Sequence, residues 1–236
     1  MANQNLPIVQ IRDLRKVYKM GEEKVIALNR INLDIFPGEI CCIFGTSGSG
    51  KSTFLNLLAG MEKPTFGSIR ILGEEITRMS EQELAVFRQK NTGFIFQSYN
   101  LLPGATAMEN VAIPLMFRGI SKKQREQIAQ VLLQRVGLAN RAKHYPGQMS
   151  GGQQQRVGIA RAFITKPKIV FADEPTGNLD TKTTEEIMRV IQGFAREFRQ
   201  TVILVTHDPE MAKYATRIIH MVDGNVIKDT ATAATA

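Results

Sequence analysis

The sequence has no tryptophan, only two cysteines and no long hydrophobic run. Its longest apolar stretch, Val111–Phe117, covers seven residues and contains a proline. That is far short of the roughly 20 residues that a membrane-spanning helix needs. Residues 1–5 contain neither a basic nor an apolar region, so we expect no secretory signal. Any membrane association is therefore expected to run through a partner.

The two cysteines, Cys41 and Cys42, are adjacent in the sequence. Neighbouring residues of a strand point to opposite faces, so a disulfide between them would be strained. The pair therefore predicts reduced, buried thiols in a cytosolic protein.

Charge and composition exclude few function classes. With 43% hydrophobic and 22% charged residues in 236, the chain is typical of one globular domain with a full core. The net charge of +8 is spread along the chain, with one short basic cluster at Lys122–Arg125. No basic stripe interleaved with aromatic residues occurs, so the charge gives no support to nucleic-acid binding and favours a site near phospholipid headgroups.

The strongest motif is a glycine-rich loop at residues 45–52, which matches the phosphate-binding pattern G-x-x-x-x-G-K-[ST]. It follows an apolar run, Ile40–Phe44, and precedes a helix-like stretch, Lys51–Met61. In that context backbone N–H groups and the helix N-terminus face the phosphates, Lys51 adds charge, and the Ser52 hydroxyl is placed to bind Mg²⁺. The sequence therefore predicts a nucleoside triphosphate site. Its predicted contact residues are Gly45, Thr46, Ser47, Gly48, Ser49, Gly50, Lys51, Ser52 and Thr53.

Two carboxylates follow another apolar run, Ile169–Ala172. At a strand end beside a phosphate loop, Asp173 can hold Mg²⁺ and Glu174 can polarise the attacking water. His207 follows the strand-like run Thr201–Thr206 at its carboxyl end, where ligands bind in such folds. We therefore predict Lys51, Glu174 and His207 as the catalytic residues.

A second glycine-rich helix start lies at Ser150, Gly151, Gly152 and Gln153. Such a start can bind an anion. Because the chain already has one phosphate loop, the economical interpretation is that these residues bind the nucleotide of another protomer. The alternative is a glycine-rich entry to a helix with no ligand.

The order of apolar runs predicts an α/β fold: a P-loop NTPase core with a mostly parallel sheet, N-terminal antiparallel strands and an inserted helical subdomain. Helix starts with a capping box are predicted at Ser80–Glu83, Thr106–Glu109 and Ser121–Gln124. The first two strands are predicted at Ile8–Leu14 and, from alternating apolar residues, at Ile31–Ile35. A helix is predicted at about Thr181–Phe198, and a hairpin turn at Asp223–Asn225. The predicted boundaries are a single domain over 1–230, with its core at 1–97 and 166–230, a helical subdomain at 98–165, and a disordered tail at 231–236.

Together these motifs resemble the ATP-binding cassette (ABC) family, and specifically the ATPase subunit of a transporter, over nearly the whole chain. The resemblance implies that Tyr18 stacks on adenine and that Gln97 touches Mg²⁺ together with Ser52 and Asp173. It also implies that residues 150–153 are the family signature, preceded by methionine in place of the usual leucine. Asn178, Leu179 and Asp180 would then form the loop that crosses a dimer interface, and His207 would be the switch histidine.

Residues 173–180, 93–97 and 100–103 are typical of one branch of this family. That branch is similar to the ATPases of lipoprotein release, macrolide export, peptide-antibiotic resistance and cell division, and the sequence does not choose among them. The resemblance implies a subunit that dimerises around two ATP molecules, uses Mg²⁺, and drives an integral membrane permease from the cytoplasmic face of the membrane. No nucleic-acid partner is expected.

Three other classes of ATPase differ from this chain in a visible feature. DNA-repair and chromosome-organising ATPases need a long coiled coil between phosphate loop and signature, whereas about 100 positions separate Lys51 from Ser150. Ribosome-acting members carry two cassettes, and this chain has one. A regulatory nucleotide binder would lack the catalytic carboxylate, whereas Glu174 is present.

The apolar segment Val111–Phe117 has two interpretations. With Tyr99 and Leu101 it forms the rim of a groove for a permease helix, or all seven of its residues belong to the core of the helical subdomain.

Overall fold

A computed structural model describes residues 6–232, which form two compact units. The first unit contains the residues up to 88 and those from 201 onward, and the second contains residues 89–200. Among residues 6–232, no helix has the length and apolar character to cross a membrane.

In chain order the strands are β1 (Val9–Met20), β2 (Glu23–Ile35), β3 (Ile40–Phe44), β4 (Phe66–Ile71), β5 (Glu74–Glu75), β6 (Thr92–Ile95), β7 (Ile169–Asp173), β8 (Thr201–Thr206), β9 (Arg217–Val222) and β10 (Asn225–Ala231). The helices are α1 (Lys51–Leu58), α2 (Glu81–Asn91), α3 (Ala107–Phe117), α4 (Lys122–Arg135), α5 (Gly151–Phe163), α6 (Thr181–Phe198) and α7 (Pro209–Ala212).

In the first unit, one antiparallel sheet has the strand order β2-β1-β4-β5. Its two long strands reach well beyond the apolar runs at Ile8–Leu14 and Ile31–Ile35 that predicted them. The added residues mix charged and apolar side chains, half-buried through Tyr18 on β1 and mostly exposed on β2, and pairing such as Tyr18 with Val25 holds them in the sheet. Backbone hydrogen bonds between β1 and β2 therefore continue beyond the apolar runs. A pattern of apolar residues does not predict this extension.

The other sheet of the first unit places β3 between β8 and β9, parallel to both, with β10 antiparallel to β9. All six residues of β8 are buried, as the continuous apolar run predicts for a parallel strand. The predicted turn between β9 and β10 is confirmed, with Asp223 and Gly224 at φ 45° and 73°. This sheet holds the start of the phosphate loop, at the end of β3.

Helix α1 is shorter than the predicted stretch Lys51–Met61, because Gly60 ends it. Gly60 takes φ 62°, and the N–H of Met61 donates to the carbonyl of Asn56 (2.9 Å). This left-handed glycine closes the last turn, as glycine commonly does at helix C-termini.

The second unit contains the parallel pair β6–β7 and the helices α3 to α6. It includes the whole predicted helical segment, residues 98–165. Helix α6 has the predicted bounds, and its buried face carries Ile187, Ile191 and Phe194 at helical spacing. Pro114 lies inside α3, which continues to Phe117.

Two of the three predicted capping boxes form, at Ser80–Glu83 and Thr106–Glu109. The third is wrong: α4 does begin after Ser121, but the Ser121 hydroxyl donates to the side-chain oxygen of Gln124 (2.8 Å). The two boxes that form have the same contact between side chains in addition to the bonds to backbone N–H groups, so this contact does not explain the difference.

At the C-terminal end, β10 includes Ala231, and the N–H of Thr232 donates to the carbonyl of Thr216 (2.9 Å). The predicted tail at 231–236 therefore begins with two residues that are hydrogen-bonded into the sheet or next to it. Residues 1–5 and 233–236 lie outside the described residues. The prediction that residues 1–5 carry no secretory signal concerns that part of the chain.

Candidate functional site

The phosphate loop joins β3 to α1 in the first unit, and its shape depends on glycine. Gly50 precedes α1 at φ 94°, and a Cβ there would lie 2.4 Å from the carbonyl oxygen of Ala27. A Cβ on Gly45 would lie 2.3 Å from the carbonyl oxygen of Met221. Neither position accepts a side chain without a backbone shift, so the loop packs closely against two neighbouring strands.

Polar side chains point into this loop. Lys51 is only 6% exposed, and its ammonium donates to the carbonyl of Thr46 (2.8 Å). Ser49 is 2% exposed, and its hydroxyl oxygen has no hydrogen-bond partner among residues 6–232. Buried polar groups are almost always satisfied, so a buried ammonium and an unsatisfied hydroxyl in one loop fit a phosphate ligand. Ser52 lies in the first turn of the helix that follows.

Two other predicted residues belong to the first unit. Tyr18 lies on β1, and its hydroxyl donates to the carboxylate of Glu62 (2.7 Å). His207 is exposed and directly follows β8. The next residue, Asp208, caps α7 by accepting from the N–H of Glu210 (2.8 Å), which fixes the backbone on one side of the histidine.

In the second unit, Gln97 packs against the loop that follows β7. A Cβ on Gly177 would lie 2.8 Å from Nε2 of Gln97, and the Asn178 amide donates to the carbonyl of Gln97 (3.2 Å). The structure therefore brings Gln97 together with the predicted interface loop.

Glu174 has an unusual backbone. Strand β7 ends at Asp173, and Glu174 takes φ 42°, in the left-handed region. The N–H of Gly177 donates to the carbonyl of Glu174 (3.1 Å), which closes a tight turn. A left-handed non-glycine residue costs of order 1–3 kcal/mol and is most often kept where function needs it. Glu174 therefore departs from the regular strand conformation that ends at Asp173.

Ser150 caps α5 with the full capping box. Its hydroxyl accepts from the N–H of Gln153 (3.3 Å), and the Gln153 side chain accepts from the N–H of Ser150 (3.1 Å). A Cβ on Gly151 would lie 2.7 Å from the Tyr99 hydroxyl, and one on Gly152 would lie 2.7 Å from Thr183. Both glycines therefore have a packing reason within the second unit as well.

This helix start opens into a cavity of about 440 Å³. Its polar wall includes Asp180, whose carboxylate accepts from the N–H of Thr183 (3.0 Å). That backbone hydrogen bond, with the Thr183 hydroxyl, lowers the pKa of Asp180, so the group stays ionised at neutral pH. The lining residues are Gly137, Leu138, Ser150, Gly151, Gly152, Gln153, Arg156, Asn178, Leu179, Asp180 and Thr183.

Two residues that the sequence patterns do not identify form hydrogen bonds with the backbone of the loop after Gln97. The Arg161 guanidinium donates to the carbonyls of Tyr99 (2.7 Å) and Asn100 (2.5 Å), two left-handed residues. Burial lowers the pKa of Arg161. Asn110 makes four hydrogen bonds to the same loop and its end. An arginine inside the otherwise apolar stretch 157–163 was the available sequence signal.

The predicted site residues divide between the units. Tyr18, the phosphate loop and His207 belong to the first unit, and the list for the second unit is Gln97, Ser150, Gly151, Gly152, Gln153, Asp173, Glu174 and Asp180. Among residues 6–232, no group of three or more His, Cys, Asp and Glu side chains is arranged to hold a metal ion. The predicted Mg²⁺ ligands differ from such a cluster, since they are one hydroxyl, one amide and one carboxylate.

A glycine-rich loop with a buried lysine, between a buried strand and a helix, defines a phosphate-loop nucleotide-binding protein. The chain belongs to the ABC transporter family, whose model matches residues 28–177. An uncharacterized ABC transporter ATP-binding protein of Thermotoga maritima is 47% identical over 219 residues, which cover 93% of each chain. The macrolide export ATP-binding/permease protein MacB of Escherichia coli K12 is 45% identical over 94% of this chain but only 34% of its own length.

A solved structure, the dimeric ATP-binding cassette MJ0796 in a post-hydrolysis state with ADP and phosphate, matches with a TM-score of 0.89 and 43% identity. The match covers 94% of this chain and 98% of that one. The predicted fold class is confirmed, and so is the resemblance to the branch that contains MacB. The chain is the ATP-binding cassette of an ABC transporter, an ATPase that uses ATP with Mg²⁺.

Proposed function

We propose that this chain works as a pair, with two ATP molecules between the protomers, and drives an integral membrane permease from the cytoplasmic face of the membrane. The cavity at the start of α5 carries the proposal. It is lined by the signature and by Asn178–Asp180, which all belong to the second unit. A polar cavity beside a capped helix N-terminus supports a role in binding the phosphates of a second protomer's nucleotide.

The proposed roles follow the chemistry of each side chain. Lys51 and the loop N–H groups bind the phosphates, Tyr18 stacks on the base, and Glu174 takes a proton from the attacking water. His207 holds that water near the γ-phosphate. The proposed Mg²⁺ ligands are Ser52, Gln97 and Asp173, and the ion, when bound, neutralises charge on the β- and γ-phosphates.

Glutamine at position 174 tests the general base. Glu174→Gln keeps the shape of the side chain but removes its basicity, so we expect ATP to bind while turnover falls by roughly 10²–10⁴-fold. Glu185→Gln, an exposed change on α6, is the matched control and should hydrolyse ATP normally. Near-normal steady-state hydrolysis by Glu174→Gln would exclude this role.

The same variant tests the shared site, because ATP should accumulate and hold the pair together. With millimolar ATP, light scattering after size exclusion should show a Glu174→Gln dimer. Adding Ser150→Arg should abolish the dimer, since the long side chain would fill the cavity, and should leave ATP binding by the monomer unchanged. Ser121→Arg, at the start of α4 and outside the cavity, is the control. Loss of monomer ATP binding in Ser150→Arg would show that the signature acts within its own chain.

The contact with the permease is proposed at exposed apolar residues of the second unit. Within the segment Val111–Phe117, Val111 and Leu115 are buried, whereas Phe117 is 66% exposed. Leu102, in the loop that precedes the helix, is 54% exposed. The segment is therefore not entirely core, and its exposed end supports the interpretation as a docking surface.

Serine at these positions tests the docking surface. Leu102→Ser and Phe117→Ser should each reduce co-purification with the permease from detergent-solubilised membranes while the ATPase activity of the isolated subunit persists. Val131→Ser, which changes an exposed apolar residue of α4, is the control. Unchanged co-purification of both variants would place the contact elsewhere.

A further inference from the structure

Three side chains of the first unit meet around Tyr18. Lys16 and Tyr18 are two residues apart on β1 and therefore share one face of the sheet. Glu62 lies in the turn after α1, and one of its carboxylate oxygens accepts from both the Tyr18 hydroxyl (2.7 Å) and the Lys16 ammonium (3.1 Å). The ring is therefore tied to the segment that follows the phosphate-loop helix.

The Lys16 ammonium is fixed in place as well. It donates to the carbonyl of Lys63 (2.8 Å) and lies 4.9 Å from the centroid of the Tyr18 ring. The Lys16 side chain is only 15% exposed, so its charge is held against one face of the ring instead of extending into solvent.

The electrostatics agree with a fixed arrangement. Burial raises the pKa of Tyr18, Thr53 in the first turn of α1 lowers it, and Glu62 raises it further. Burial also opposes ionisation of Glu62, but the hydrogen bonds from Tyr18 and Lys16 outweigh it, and the pKa of Glu62 is lowered. At neutral pH Tyr18 is therefore a neutral phenol and Glu62 a carboxylate. The link to Thr53 places the ring beside the phosphate loop.

We propose that Glu62 and Lys16 are positioning residues for the nucleotide base: they hold the Tyr18 ring with one face against the ammonium and the other face available for stacking. This inference rests on the proposed stacking role of Tyr18. A ring that is already oriented loses little freedom when the base binds, so the clamp raises affinity without touching the nucleotide. It should act on ligands that carry a base and on no others.

The test compares Mg²⁺-ATP with Mg²⁺-tripolyphosphate, which has the phosphates but no base, by calorimetric titration of the monomeric protein. Tyr18→Ala should weaken ATP binding by about 5- to 100-fold, the range for the loss of one base–aromatic stack. Glu62→Leu, which removes both acceptor contacts, should weaken ATP binding by about 3- to 10-fold. Neither change should alter the affinity for tripolyphosphate.

The double variant separates positioning from a direct role. If Glu62 acts only through the ring, Tyr18→Ala/Glu62→Leu binds ATP as weakly as Tyr18→Ala and no more weakly. Lys16→Met serves as a second variant in the same comparison and replaces Glu62→Leu if that variant does not fold. Combined with Tyr18→Ala, it too should bind ATP no more weakly than Tyr18→Ala alone. Glu74→Leu and Lys19→Met, which change exposed residues of the same sheet, are the matched controls.

The outcomes that contradict the proposal are distinct. If Tyr18→Ala binds ATP normally, the stacking role is wrong and the clamp with it. If Tyr18→Ala weakens binding but neither Glu62→Leu nor Lys16→Met does, the stacking role stands and the clamp is refuted. If either variant weakens tripolyphosphate binding as much as ATP binding, the group supports the phosphate loop and the inference fails.

Discussion

Replacing Asn110 by leucine should destabilise the protein strongly, although leucine is apolar and of similar size. Asn110 lies on α3 and is fully buried. Its amide nitrogen donates to the carbonyls of Leu102 (3.1 Å), Ala105 (3.0 Å) and Thr106 (3.1 Å), and its oxygen accepts from the N–H of Leu102 (2.7 Å). One side chain therefore bonds four backbone groups between residues 102 and 106.

The magnitude follows from which groups lose their partner. In the variant, the carbonyl of Thr106 still accepts from the N–H of residue 110, and that of Leu102 still accepts from the N–H of Ala105. The N–H of Leu102 and the carbonyl of Ala105 are left without the amide. Each such group costs about 1–3 kcal/mol, and both are partly buried, so we expect a loss of about 2–4 kcal/mol. That is a large part of the roughly 5–15 kcal/mol of a typical domain.

Urea unfolding followed by circular dichroism measures this loss as a lower midpoint at unchanged slope. Asn140→Leu, at an exposed position of the same unit, should stay within about 0.5 kcal/mol of the parent protein. A loss below about 1 kcal/mol for Asn110→Leu would show that the loop rearranges or that water replaces the amide, and the reasoning from orphaned backbone groups would be wrong.

Two further changes address catalysis and acid stability. Gly177→Ala would place a Cβ 2.8 Å from the Gln97 amide, so we expect this variant to need more Mg²⁺ for half-maximal ATPase activity. The control is Gly193→Ala, where nothing lies within 4 Å of the added Cβ. The same Mg²⁺ requirement in both variants would exclude a role for the contact between Gly177 and Gln97. The folded-state pKa is lowered for Glu109 by the N–H of Thr106 and for Asp229 by Arg217. Such groups stabilise the fold above their unfolded pKa and lose that contribution as the pH falls, so the thermal midpoint should drop below roughly pH 4 and change little from pH 5 to 7. A midpoint that stays constant down to pH 3 would contradict this.

Local patterns predicted the elements whose causes are local. The bounds of α6 follow from its cap at Asp180 and a regular apolar face, and the β9–β10 turn follows from Asp223 and Gly224. At Ser121 the residues meet the same pattern and the helix begins as predicted, but the two backbone bonds of the box do not form. The outer ends of β1 and β2 were not predicted, because their conformation depends on pairing across the sheet.

The candidate site divides in the same way. The phosphate loop and the signature are contiguous motifs, so their residue spacing identifies them. Glu62, Asn110 and Arg161 act on partners 4 to 62 positions away, and no spacing rule connects them to those partners. Their roles become visible only when the chain is folded.

The Tyr99 hydroxyl lies where a side chain at position 151 would begin. Any larger residue at Gly151 must first displace this tyrosine, whose backbone Arg161 holds from the same helix. Loss of activity in a Gly151 variant would therefore combine damage to the loop after Gln97 with any damage to a shared nucleotide site. In mutational scans of this protein, sensitivity at Gly151 is therefore weak support for contact between protomers.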